Sequence, residues 1–262
     1  MKISADPILG LSSKEAVRFI DIQQKSTANK DLSTSSKPNQ LKPLKRQKNI
    51  REEAVATMMS NVLTSSLSED MSEICKSFSS SRLTAKFKSI AECEKGMDDA
   101  RPLSISKHGH SLSGFEFNRE AKYEDIFGAK YFIKVGSRKG QVIIHFPAFV
   151  PEHTFVKPEG ATNFKINARL VAISDFQFNQ DLNGYEALHE EHHGKYGSFE
   201  SPMLPILKIP TEPMTTQVSL NEKDLPEEIG LFLVMSVSFF HYDHRSFEHL
   251  SEHSGMTIKQ VY

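Results

Sequence analysis

This chain of 262 residues has little cysteine, no long apolar run and almost no net charge, and each shortage closes off a class of protein. Its two cysteines, Cys75 and Cys93, do not make the even, spaced set of a secreted disulfide framework. Both fall in a helix-like region, where a thiol packs as a small apolar group. No segment approaches the length of a membrane span, and the opening Met1-Lys2-Ile3-Ser4-Ala5-Asp6-Pro7 carries no apolar stretch of the kind a signal peptide needs. The expectation is a soluble, cytoplasmic protein with no membrane partner. A formal net charge of -1 argues against duplex nucleic acid as a partner, because phosphate binding needs an excess of Lys and Arg on one face.

Catalytic signatures are also missing. There is no Gly-x-Ser-x-Gly elbow, no Gly-x-x-x-x-Gly-Lys-Ser/Thr phosphate loop and no dinucleotide fingerprint after a strand. Neither cysteine has neighbours that would activate a thiolate. These gaps point to a protein that is not an enzyme and needs no cofactor.

What is present divides into three parts. Residues 1–47 form a polar N-terminal arm, broken by Ala16-Val17-Arg18-Phe19-Ile20-Asp21-Ile22, a strand or brief helix. Its stretch Gln23–Lys37 is too polar to offset its own ordering entropy by burial. The basic run Lys42, Lys45, Arg46, Lys48 and Arg51 lacks the interleaved aromatics of a stacking platform and reads as a solvated lead into a helix.

Residues 48–112 form a helical region. Asn49 is placed to cap a helix over Ile50–Ser65, with Glu52 and Glu53 at its positive end. Val55, Met58, Met59, Val62 and Leu63 recur at helical spacing, as do Leu83, Phe87 and Ile90 in a second helix over Ser81–Glu94. Leu67, Met71 and Ile74 between them extend the helical pattern. Such stripes face a core.

Residues 113–262 form an antiparallel β domain. Strands are expected over Tyr131–Val135 and Gln141–Phe146, joined by the hairpin connection Gly136–Gly140, and over Phe164–Leu170, Thr215–Leu220 and Thr257–Tyr262. Leu231–Phe240 is apolar on both faces at its start, which marks a central strand. Prolines punctuate the gaps, and no helical periods intervene. The fold class is therefore α+β, mainly β: an antiparallel β-sandwich, Ig-like or related, with an N-terminal arm and helices.

Three segments, Ile8–Lys14, Ser113–Asn118 and Pro158–Ile166, carry a resemblance. Together they resemble an uncharacterised bacterial family, mainly from Bacteroidota, whose function is unassigned. The resemblance implies a β-rich fold and no particular chemistry. Its motifs have structural causes: in Pro158-Glu159-Gly160 a fixed φ and a glycine allow a tight turn into the Phe164 strand, and Gly114 lets the chain bend before Phe115 and Phe117 enter the core.

The sharpest chemical motif is His189-Glu190-Glu191-His192-His193. On a helix this spacing makes His189 and His193 zinc ligands and sets Glu190 beside them as a base, the arrangement of a zinc-dependent hydrolase. Asn183-Gly184 upstream and Gly194 downstream leave barely two turns, so a loop between strands near Phe178 and Leu204 is the competing expectation. That loop, Leu182–Pro202, offers Tyr185, Tyr196 and Phe199 as contact surface for a ligand-binding β-sandwich module. A second set, His241-Tyr242-Asp243-His244 with His249 and His253, fits a cation site or a hairpin tip.

The leading functional expectation is a non-enzymatic structural protein, a subunit for self-assembly or for a larger complex. Open β-sandwiches have edge strands that pair with another chain unless covered, and Ala16–Ile22 can supply a strand in cis or in trans.

Overall fold

The computed structural model describes residues 42–262, apart from 69, 70, 72, 73, 75–77, 94–100 and 223. The Ile8–Lys14 motif, the Ala16–Ile22 segment and Cys75 lie outside the described residues. The protein is built around β10 (Ile229–Tyr242), which runs between β4 (Asn163–Ser174) and β12 (Gly255–Val261). With β1 (Phe115–Glu116) and β7 (Tyr196–Glu200) these strands form a sheet of order β1-β12-β10-β4-β7, antiparallel at every step. Two short strands extend it: β11 (Phe247–His249) on β10, and β8 (Leu204–Pro205) on β4. A second sheet has the order β2 (Phe132–Val135), β3 (Gln141–Phe146), β9 (Met214–Ser219), and a hairpin pairs β5 (Phe176–Asn179) with β6 (Gly184–Ala187).

The apolar residues on both faces of β10 are explained by two layers of cover. Leu231, Leu233, Met235 and Val237, with Ile166, Ala168 and Leu170 of β4, pack against Val142, Ile144 and Phe146 of β3 and Val218 of β9. This core between the two sheets gives a mainly β, sandwich-like arrangement. On the opposite face Phe232 and Val234 join Val171 and Ile173 of β4 and Met256 and Ile258 of β12. There they meet two helices, α1 (Lys42–Ser66) and α2 (Ser80–Ala91), through Val55, Met59, Leu63, Leu83, Phe87 and Ile90. The Phe87 and Phe232 rings lie 5.9 Å apart, and Lys88 Nζ reaches Glu53 Oε2 at 2.7 Å to tie the helices together. Residues 48–112 and 113–262 thus share one apolar cluster.

One local expectation is corrected. Asn49 does not cap α1, because the chain is already helical at Lys42. Leu44-Lys45-Arg46-Gln47-Lys48 are all good helix formers with no Gly among them, so nothing ends the helix at Asn49. The turn chemistry holds: Gly114 and Gly160 have φ of +81° and +79°. Phe115 and Phe117 are both buried, with rings edge to face 5.2 Å apart. Asn118 ends the 113–118 motif as a local clasp. Its Oδ1 accepts N–H bonds from Glu120 and Ala121, and its Nδ2 donates to the Ser254 carbonyl.

Candidate functional site

Residues Leu188–Gly194, which carry the histidine motif, form a turn after β6 rather than a helix. The reason is a set of bonds to the end of β4 that fixes the backbone in another shape. Leu188 N–H donates to the Asp175 carbonyl, His189 N–H to Ser174 Oγ, and Gly194 N–H to the Ala172 carbonyl. Gly194 has φ of +83°, a conformation that favours glycine.

The turn sends the two expected ligands in different directions. His193 points inward, edge-on to Phe176 at 5.2 Å between centroids, and its Nδ1 accepts the Ser174 N–H at 3.3 Å. Its Nε2 is buried without a hydrogen-bond partner, and burial holds its pKa down from 6.5 to about 4. His189 stays at the surface, with Nε2 3.4 Å from Glu228 and Nδ1 3.6 Å from Glu191. Its neighbour is His192, at 6.4 Å between ring centroids, rather than His193. His192 lies 3.7 Å from Glu191 and 3.6 Å from Glu222, which also binds Lys195 Nζ at 2.5 Å. The three carboxyls sit below their ordinary range: Glu191 through its own backbone N–H and then the two imidazoles, Glu222 through Lys195, and Glu228 through its own backbone N–H and then His189. This is a partly buried polar clasp between the turn and the β9–β10 connection, with the His192 and Glu222 side chains only 13% and 23% exposed. Among the described residues, no group of three or more His, Cys, Asp or Glu is arranged to hold a metal ion.

His193 makes a prediction with a definite sign. Its folded pKa is depressed, so the folded protein binds this proton less readily than the unfolded chain does. The stabilisation is complete above about pH 6.5 and is lost as pH falls through about 4. Acidification from about pH 8 to about pH 4 should remove about 3 kcal/mol through this group alone. Urea unfolding across that range should show the loss, and His193→Asn, which keeps an acceptor for the Ser174 N–H but cannot be protonated, should show a shallower slope. Equal slopes would place the acid sensitivity elsewhere.

The other histidines do not converge. His241 Nδ1 is 2.7 Å from the Gly160 carbonyl, His249 stacks on Phe240 at 4.9 Å, and His244 stands at the tip of the β10–β11 hairpin with φ of 70°. Asp243 Oδ1 is engaged by the N–H groups of Arg245 and Ser246, so it shapes the tip.

The segment Leu182–Pro202 is not a single loop, since it contains β6 and β7. Of its three aromatics, Tyr196 is exposed and lies under the Arg169 guanidinium at 4.8 Å, while Tyr185 and Phe199 pack against the two cores.

The sheet edges differ sharply in accessibility. The backbone of β9 lies against the face of β7, since a Cβ added to Gly197 would lie 2.0 Å from the Ser219 carbonyl oxygen. At the other end β1 is only two residues long, with Phe115 buried under Arg82 at 4.9 Å. β2 is a further edge strand. It pairs with β3 on one side, and Phe132 and Val135 are 62% and 52% exposed.

Which groups β2 offers follows from its register. Gly136 N–H donates to the Gln141 carbonyl at 2.8 Å, making these a hydrogen-bonded pair at the hairpin end. Such pairs alternate along an antiparallel ladder, so Phe132 and Lys134 turn their N–H and C=O groups toward β3. Ile133 and Val135 turn theirs outward. Phe132 stands on the outer face of its sheet, stacked on His145 at 6.3 Å, and His145 Nδ1 is 2.7 Å from Thr215 Oγ1. The hairpin was expected from Gly136–Gly140, but its position at an open edge depends on which strands pair beyond it, and no residue within Phe132–Val135 signals that.

No helix among the described residues is long and apolar enough to cross a membrane. Comparison with known proteins finds no matching family model, curated protein or solved structure.

Proposed function

We propose that this chain is a non-enzymatic structural subunit of the cytoplasm that assembles with other chains through the edges of its β framework, with the polar segment 1–47 as a second point of contact. The observation that carries this reading is β2: an edge strand with outward-turned backbone groups at Ile133 and Val135 and exposed apolar side chains at Phe132 and Val135. An edge of this kind is a template for another strand unless a protein blunts it. Among the described strands, β2 carries the two most exposed large apolar side chains. The histidine turn does not gather its imidazoles at one point: His193 packs into the core, and His189 and His192 join a partly buried polar clasp.

Light scattering coupled to size exclusion tests the reading. The full chain should give a mass above the 29.6 kDa monomer at high concentration, and Phe132→Lys, which adds a like charge beside Lys134 on this exposed edge, should lower it toward the monomer without changing the thermal melt. A strict monomer at every concentration, or a mass unaffected by Phe132→Lys, would count against assembly through β2.

A further inference from the structure

We infer that the partner of β2 is β2 of a second copy, paired antiparallel about a two-fold axis that passes between the two Ile133 residues; this rests on the assembly reading above. A two-fold axis normal to the sheet keeps outer faces outward, so residue numbers facing one another must sum to an even value. Within the four residues of β2 this leaves few registers. One centred on Lys134 sets the two ammonium groups directly opposite, and like charges at that spacing are unfavourable. Centred on Ile133, the register sets Ile133 against Ile133 of the second copy and each Lys134 against the other copy's Phe132.

That arrangement satisfies three features of the strand together. The outward N–H and C=O groups of Ile133 exchange two hydrogen bonds across the axis, and those of Val135 meet the other copy's Tyr131. Each exposed Phe132 ring is covered by the stem and ammonium of a lysine, a cation–π contact on the outer face. Val135, facing the inter-sheet core from its rim, loses part of its exposure. Two three-stranded sheets become one of six strands. A strand of four residues covers much less than the roughly 1,200 Å² of a durable interface, so pairing through β2 alone is concentration-dependent.

Facing residues Phe132 and Lys134 of the second copy form a non-hydrogen-bonded pair, with Cα atoms about 4.5 Å apart, inside the range a disulfide spans. The test is to oxidise Phe132→Cys, Lys134→Cys and a mixture of the two at high protein concentration, and to map disulfide-linked peptides by mass spectrometry. Both positions are exposed, so the variants retain the fold. The mixture should yield the 132–134 linked peptide at least about ten-fold above any 132–132 or 134–134 peptide from the single variants, since only the former pair meets disulfide geometry. Predominant 132–132 or 134–134 linkage would overturn the register while leaving assembly standing. A dimeric mass without linkage at any of these positions would remove β2 from the interface but not the assembly reading. A monomer under all conditions would overturn both.

Discussion

Gly197→Ala should lower the melting temperature by roughly 10 °C, the equivalent of about 3 kcal/mol for a chain of this size. The added Cβ would fall 2.0 Å from the Ser219 carbonyl oxygen, 2.6 Å from its carbon and 3.2 Å from the Leu220 nitrogen. All three are backbone atoms, so no side chain can swing aside. β7 and β9 must separate, and with them the side on which the two sheets close. Ser198→Ala, one residue on and exposed, should change the melt by only a degree or two, as surface substitutions do. Equal melts for the two variants would mean that β7 and β9 are not in backbone contact.

Leu233→Asp should abolish folding. Leu233 is fully buried between the sheets and pairs with Leu170. An unpaired carboxylate there costs several kcal/mol, comparable with the total stability of a domain, about 5–15 kcal/mol. Val234→Asp is the informative comparison. Val234 is equally central, but its partner on β4 is Arg169, whose guanidinium Nη1 also reaches the Ser66 carbonyl at 2.6 Å. A new carboxylate opposite that cation is partly compensated, so Val234→Asp should destabilise less than Leu233→Asp. His192→Ala, in the partly buried clasp, should cost about 1 kcal/mol, less than either core substitution. Circular dichroism melts of the three variants rank them, and a folded Leu233→Asp protein would mean that the core between the sheets is misplaced.

Much of this fold is local and was readable from residue order. Leu83, Phe87 and Ile90 recur at helical spacing and are all buried on α2. The double-sided apolar run at Leu231–Phe240 marks a strand covered on both faces, and β10 has helices on one side and β3 and β9 on the other. Where reading failed, the deciding contacts were distant in sequence. Tyr196-Gly197-Ser198-Phe199-Glu200 has little strand character of its own. It becomes β7 because β4 supplies a ladder and Gly197 admits the backbone of β9. The Asn49 cap failed for a different reason, a run of helix-forming side chains upstream. At the histidine turn, spacing alone cannot distinguish a helix face from a turn. Ser174 and Asp175 decide it by engaging Leu188 and His189 from the end of β4.

Backbone amide exchange at β2, followed against protein concentration, bears most directly on the assembly reading. The N–H groups of Phe132 and Lys134 face β3 and should be protected at every concentration. Those of Ile133 and Val135 turn outward, so they should exchange rapidly in dilute protein and slow as concentration rises and strands pair. Rapid, concentration-independent exchange at Ile133 and Val135, with Phe132 and Lys134 still protected, would contradict assembly through this edge.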